Sequence, residues 1–425
     1  MSELKQRKAA PSPTASTSAP PKYDAFVHDP NGIIPPLKHG AAMQALRITG
    51  FAIYFFLCCC GIHAAQMMAL PLFFISKDWF RPWIAMTKAF FGLLITTMTQ
   101  WWSPTVVRVS GDKSVAGLLR QDASGMLQTD FGNRMVLITN HQLYTDWLYL
   151  WWTAYANAIP MHGHVYIILK DSLKWIPALG PGMQLFGFIF MSRKWATDQD
   201  RMRYRLQKLR TRRSPPMAGQ TGEAQLDPMW LMIFPEGTNL SANTRARSKK
   251  FAEQSGIEDM RHQVLPRSTG LQFCLQELQG TVEYLYDVTI GYEGVPAGRY
   301  GAEIFTLRSV YFQGRTPKSV NMHWRRFKVS ELPLDDKDAM HKWVMDRWRE
   351  KDELLDVFMK TGKFPADKDA VHIEGGPEDS FKTPYINTSV QMRNPIEFLS
   401  IFGPVAAATM VGRVLVQILD RLFPK

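Results

Sequence analysis

The sequence predicts an α/β layered domain carrying apolar helices at both ends. Three observations predict it. Five short apolar runs have the length of buried strands, the stretches between them carry helical periodicity, and long segments near each end lack charge. The layered part is expected as a sheet of mostly apolar strands flanked by helices.

In chain order, residues 1–44 are rich in Pro, Ser, Thr, Ala and Lys without an apolar period, and are expected as a disordered tail. Residues 45–108 are expected as a membrane-embedded helical pair. From 49 to 75 there is no formal charge, and 89–107 is a second uncharged stretch ending near Trp101-Trp102. About 20 helical residues span a hydrocarbon core of ~30 Å, and paired tryptophans suit its interface. Whether the pair crosses or dips back stays open. The layered domain is assigned to 109–330, with strands at 135–139, 165–169, 187–191, 231–234 and 286–292 and helices at 145–158, 197–212 and 267–279. Residues 214–225 read as a polar loop. Residues 331–390 read as an extension, an amphipathic helix at 339–358 followed by loop from 362 to 388. The last segment, 391–425, holds an apolar helix interrupted by Arg413, either crossing or lying on a membrane.

With 425 residues, 46% of them hydrophobic, the chain has ample material for a core; its net charge of +12 calls for an anionic partner. The basic residues form no nucleic-acid motif, so a lipid surface or a phosphorylated substrate fits better. Three of the four cysteines are consecutive at Cys58–Cys60, which argues against a disulfide framework, and no Cys/His cluster has metal-ligand spacing.

Chemistry concentrates in a few places. His141 and Asp146 follow an apolar run, and a His oriented by a carboxylate is the minimal apparatus for taking a proton from an alcohol. The same spacing also suits residues that merely cap a helix. Phe234-Pro235-Glu236-Gly237-Thr238 is a turn after a strand-like run. Gly237 permits close backbone approach, Thr238 adds a hydroxyl, and Glu236 suits holding a substrate hydroxyl or orienting a basic neighbour. Arg193 follows 187–191 as a natural phosphate fork. Lys170, Lys174 and the cluster Arg245, Arg247, Lys249, Lys250 add positive charge for a headgroup or coenzyme phosphates. No Gly-x-Ser-x-Gly elbow, Walker loop or His-Glu-x-x-His occurs.

Taken in order, these blocks resemble the glycerolipid acyltransferase family that includes 1-acylglycerol-3-phosphate acyltransferases. His141 and Asp146 match His-x4-Asp; Gly187, Phe190 and Arg193 match Gly-x2-Phe-x2-Arg; residues 234–238 match Phe-Pro-Glu-Gly-Thr; Val264-Leu265-Pro266 is the candidate fourth block. Asp146-Trp147, Leu169-Lys170-Asp171-Ser172-Leu173-Lys174, Ser192-Arg193-Lys194-Trp195, Phe251-Ala252-Glu253 and Arg347-Trp348-Arg349-Glu350-Lys351-Asp352 look like the eukaryotic branch of lysocardiolipin and lysophosphatidylinositol acyltransferases. Asn239 stands where many phosphatidic-acid-forming members have Arg, which turns the expectation away from lysophosphatidic acid.

The resemblance implies transfer of an acyl group from acyl-CoA, a co-substrate, to a lysophospholipid hydroxyl, usually at sn-2. It implies no bound cofactor or metal, an integral membrane location in the endoplasmic reticulum, and no nucleic-acid partner. His141 and Asp146 would be catalytic, and Lys170, Arg193, Glu236, Gly237 and Thr238 substrate-binding. A 1-acylglycerol-3-phosphate acyltransferase, a lipid hydrolase using the same base on water, and a non-catalytic lipid-binding membrane protein are the alternatives.

Overall fold

The computed structural model describes residues 34–213, 224–374 and 384–423. Two long helices come first, α1 (Ala41–Ile75) and α2 (Lys77–Trp102). Strands β1 (Val106–Gly111), β2 (Leu119–Gln121), β3 (Leu127–Thr129) and β4 (Arg134–Thr139) then lead to α3 (Asp146–Ala156). Next come β5 (Val165–Lys170), α4 (Gly180–Leu185), β6 (Ile189–Met191), α5 (Trp195–Leu209), β7 (Arg212–Arg213), β8 (Gln225–Leu226) and β9 (Met229–Ile233). Helices α6 (Ala242–Ser255) and α7 (Ser268–Glu277) precede β10 (Tyr284–Tyr292), α8 (Gly301–Ile304), β11 (Ser319–Lys328) and α9 (Lys337–Thr361). The chain closes with β12 (Val371–Ile373), β13 (Ile386–Ser389) and α10 (Gly403–Leu422).

The main sheet has eight strands in the order β13-β1-β11-β10-β4-β9-β5-β6. From β10 to β6 all neighbours are parallel, so the carboxyl ends of five strands share one edge. Alternation along β4 shows why its run is continuously apolar. Met135 and Leu137 join a core shared with α2 and α3, whereas Val136 and Ile138 join one shared with α5, α7 and α9. A strand covered on both faces reads as an unbroken apolar run. The five expected strands are therefore the ones at the sheet's centre and far edge.

Other strands escaped that signal. In β11, Val320, Met322 and Trp324 alternate with Asn321, His323 and Arg325, yet all six are buried. The polar set is neutralised by partners, Arg325 Nε lying 2.8 Å from Asp287 on β10. The stretch 362–388, expected as loop, contributes β12 and the edge strand β13, with 375–383 outside the described residues. The polar run Ile386-Asn387-Thr388-Ser389 pairs antiparallel with β1 and has no apolar signature to announce it. The polar loop 214–225 lies outside the described residues except at its end, where Gln225 opens β8.

Most of the expected tail also lies outside the described residues. From 34 onward it lies against the body, with Pro35 buried and its carbonyl accepting from Arg315 Nε at 2.8 Å. Helix α1 and the segment Glu397–Leu422 are long and apolar enough to cross a membrane. Helix α2 is the second member of the pair expected to be membrane-embedded. Its second half, from Phe90 to Thr99, is buried in protein, and Phe91 packs on Trp147, Trp151 and Phe186. Run length alone does not distinguish a lipid neighbour from a protein one. Trp102 likewise sits in an aromatic cluster with Phe51 and Tyr54, its indole donating to the Arg47 carbonyl.

Candidate active site

Strand β4 delivers His141 to the edge shared by the five parallel carboxyl ends. Asn140 fixes the exit. Its side chain donates to the Ile290 carbonyl at 2.9 Å and accepts from the Ile290 amide at 2.8 Å, so it locks the end of β4 to β10. The His141 carbonyl accepts from the Leu240 amide at 2.7 Å. The ring, 19% exposed, lies 4.5 Å from the Phe234 ring, centroid to centroid.

Asp146 opens α3, with Thr145 as the flanking residue, but its carboxylate turns back to the preceding loop instead of capping the helix. Oδ2 accepts from His141 Nδ1 at 2.8 Å, the Leu143 amide reaches both oxygens at 3.2 and 3.0 Å, and the Tyr292 hydroxyl donates to Oδ1 at 2.6 Å. Asp146 is fully buried, so these donors replace water around the charge. A carboxylate on Nδ1 fixes the tautomer with its proton there, leaving the Nε2 lone pair as base. Tyr292 was not singled out from the sequence. Its signal is positional, the last residue of a strand parallel to β4. Burial and the Asp146 charge push the Tyr292 phenol well above its ordinary range, so it stays a donor.

Glu236 follows β9 and points inward. It is buried, and Oε1 accepts from the His141 amide at 3.1 Å. Oε1 thus braces the His141 backbone, while Oε2 has no hydrogen-bond partner among the described residues. Burial pushes its carboxyl up to about 7, opposed by the His141 ring and amide, Trp348 and Val264. Gly237 sits at φ 68°, a left-handed backbone that favours glycine. Its carbonyl accepts from Arg193 Nη2 at 2.9 Å, which brings the Arg193 and Glu236-Gly237-Thr238 blocks together.

Arg193 is itself left-handed at φ 70°. Asp198, buried in the first turn of α5, accepts from the Ser192 amide at 2.8 Å, the Ser192 hydroxyl at 2.9 Å and the Lys194 amide at 3.1 Å. That clamp bends 192–194 and holds the Arg193 guanidinium out at the edge. Thr238 is half-buried beside it. Lys170 ends β5 on the same edge and is exposed, two strands from β4 and so roughly 10 Å along the sheet. No hydrogen bond ties it to His141 among the described residues. Lys174 pairs with Asp171 and Arg245 with Asp259, both at 2.9 Å, whereas Arg247, Lys249 and Lys250 are exposed. The fourth block lies beside the third: the Arg267 amide donates to the Pro235 carbonyl at 2.9 Å.

Fold and site together define an acyltransferase: the chain belongs to the acyltransferase family, whose model matches residues 107–293, and a model described as the acyltransferase C-terminus matches 311–392. Among its relatives, an uncharacterized acyltransferase of Schizosaccharomyces pombe is 37% identical over 354 residues, 83% of this chain and 92% of that protein. The 2-acyl-1-lysophosphatidylinositol acyltransferase of Saccharomyces cerevisiae is 38% identical over 319 residues, 70% of this chain and 79% of that one. Lysocardiolipin acyltransferase 1 of Gallus gallus is 31% identical over 303 residues, covering 69% and 68%. The chain is thus an acyltransferase of the glycerolipid and lysophospholipid type, as the ordered blocks led us to expect.

Proposed function

We propose that the protein transfers a fatty acyl group from acyl-CoA to a hydroxyl of a lysophospholipid, with lysophosphatidylinositol or a lysocardiolipin-type lipid as acceptor. One observation carries the mechanism: buried Asp146 holds His141 by Nδ1 and leaves Nε2 at the carboxyl edge of the sheet. Nε2 takes the proton as the acceptor oxygen attacks the thioester carbonyl carbon. The carbon–sulfur bond then breaks, coenzyme A leaves as a thiolate, and the imidazolium returns the proton to that sulfur. No Ser or Cys nucleophile is needed. General-base catalysis supplies ~10²–10⁴ in rate.

Arg193 and Lys170 supply positive charge on the same edge for a phosphate-bearing headgroup. Asn239 in the Glu236-Gly237-Thr238 turn supplies none, which favours a phosphodiester acceptor over lysophosphatidic acid. The exposed apolar side chains of α1 and α10, among them Phe74, Ile75, Met410 and Leu422, suit a hydrocarbon solvent. They support an integral membrane protein working beside its two lipid substrates, and the resemblance alone leads to the endoplasmic reticulum.

The resemblance leads to the sn-2 hydroxyl. The name of the yeast relative describes a 2-acyl-1-lyso acceptor, whose free hydroxyl is at sn-1, and this favours sn-1 as a second reading. The test is acyl transfer by the purified full chain from labelled acyl-CoA to a panel of lysophospholipids, each in both positional forms. Transfer to lysophosphatidylinositol or lysocardiolipin well above lysophosphatidic acid is expected. Preferential labelling of lysophosphatidic acid would contradict the acceptor, and release of free fatty acid without transfer would contradict the reaction.

A further inference from the structure

Helix α9 lies in the C-terminal module, on the far side of the sheet from α2 and α3, yet two consecutive residues in it lead back to the catalytic loop. Asp352, buried, accepts from the Arg261 and His262 amides, both at 2.8 Å, one on each oxygen. Such a two-amide clamp fixes the peptide plane of that turn. The carbonyl of the same His262 accepts from Gln142 Nε2 at 3.0 Å, and Gln142 directly follows His141. Five residues on, the Arg267 amide donates to the carbonyl of Pro235, next to Glu236, and Glu236 holds the His141 amide. Gln263, between them, is fully buried and donates to the Trp348 carbonyl of α9.

Lys351 reaches the same loop through the sheet. It is fully buried, pairs with the Asp287 carboxylate and donates to the Val288 carbonyl of β10. Val288 pairs in register with Thr139, the last residue of β4 before Asn140 and His141. Asp287 has a second cation in Arg325, so ion pairing alone does not require Lys351.

We infer that Lys351 and Asp352 of α9 are positioning residues of the acyl-transfer site, setting the segment 261–267 and the end of β4 that together hold Gln142, Pro235 and the His141 backbone. This rests on the reading of His141 as general base. The C-terminal module thereby acquires a role in the rate step: neither residue touches substrate, and both fix the backbone from which the imidazole projects.

The test uses the full-length protein with labelled acyl-CoA and its accepted lysophospholipid, comparing Asp352→Asn, Lys351→Met, Gln142→Ala and the Gln142/Asp352 double variant. Asp352→Asn and Lys351→Met are each expected to lower kcat on the order of tenfold or more, because misplacement of a base by about 1 Å has costs of this scale. KM for both substrates stays within about threefold, since neither variant alters a substrate contact. Gln142→Ala, at the loop's other end, shows the same kcat-only loss, and the double variant loses no more than the larger single one. A wild-type kcat in Asp352→Asn, a loss confined to KM, or fully additive losses would overturn the inference. If Asp352→Asn fails to fold, Gln142→Ala decides, wild-type kcat there being the contrary result. Absence of transfer by the wild-type protein would instead bring down the reading of function and the inference with it.

Discussion

Asp146→Asn isolates the electrostatic part of the account. The substitution keeps shape and removes one charge. In the native site the carboxylate lies 2.8 Å from His141 Nδ1 and is wholly buried. Once His141 has taken the acceptor's proton, imidazolium and carboxylate are unit charges with centres about 4 Å apart. At an effective dielectric near 20 that pair is worth ~4 kcal/mol, on the order of a thousandfold in rate. Orientation of the new amide works in the same direction. If its oxygen keeps the Tyr292 hydroxyl bond, its NH₂ faces Nδ1, moves the imidazole proton to Nε2 and blocks the base. If it turns over, the tautomer survives but the buried phenol must surrender its acceptor. Either way kcat falls on the order of 10³-fold, measured as acyl transfer at saturating acyl-CoA by a variant whose thermal melt shows an intact fold. A kcat within about tenfold of wild type would refute the reasoning, because a residue that only caps α3 would lose little on becoming Asn.

Three further outcomes follow from neighbouring contacts. Tyr292→Phe removes a charge-assisted bond from a buried carboxylate and should lower stability by about 1.5–3 kcal/mol in a denaturant titration; an unchanged midpoint would mean the 2.6 Å contact does not support Asp146. Arg193→Ala should raise KM for the lysophospholipid about tenfold or more while leaving kcat and the KM for acyl-CoA close to wild type; an unchanged acceptor KM would remove Arg193 from headgroup binding. Glu236 gives a pH prediction with a defined sign. Its folded pKa is raised to about 7 from 4.5, so the folded state binds the extra proton, and its contribution to stability falls as pH rises through that window and is flat above it. Glu236→Gln should flatten that fall in a urea series from pH 4.5 to 7; a slope identical to wild type would show that the carboxyl does not titrate there.

The site was legible where residue identity and order carry the chemistry. His141, Asp146, Arg193 and the Glu236-Gly237-Thr238 turn lie at strand ends whose apolar runs announce themselves, because both faces of β4 and β9 are buried. The supporting residues were not legible. Tyr292 and Asp198 act through contacts created by tertiary folding, and Lys351 and Asp352 look like members of a solvated charge run until α9 is laid against β10. The strands β11 and β13 were hidden for the same reason, their polar residues being satisfied inside the fold instead of by water. Of the two roles open to Glu236, the contact to the His141 amide matches the orienting of a basic neighbour. Apolar length also did not announce that the second half of α2 supplies protein core, packed against Trp147 of α3.

The most direct measurement compares wild type with His141→Ala, purified from membranes, in transfer of label from acyl-CoA to lysophosphatidylinositol. The account predicts a loss of ~10²–10⁴ or more in kcat, with membrane insertion, thermal melt and acyl-CoA binding unchanged. Transfer at the wild-type rate by His141→Ala would contradict it.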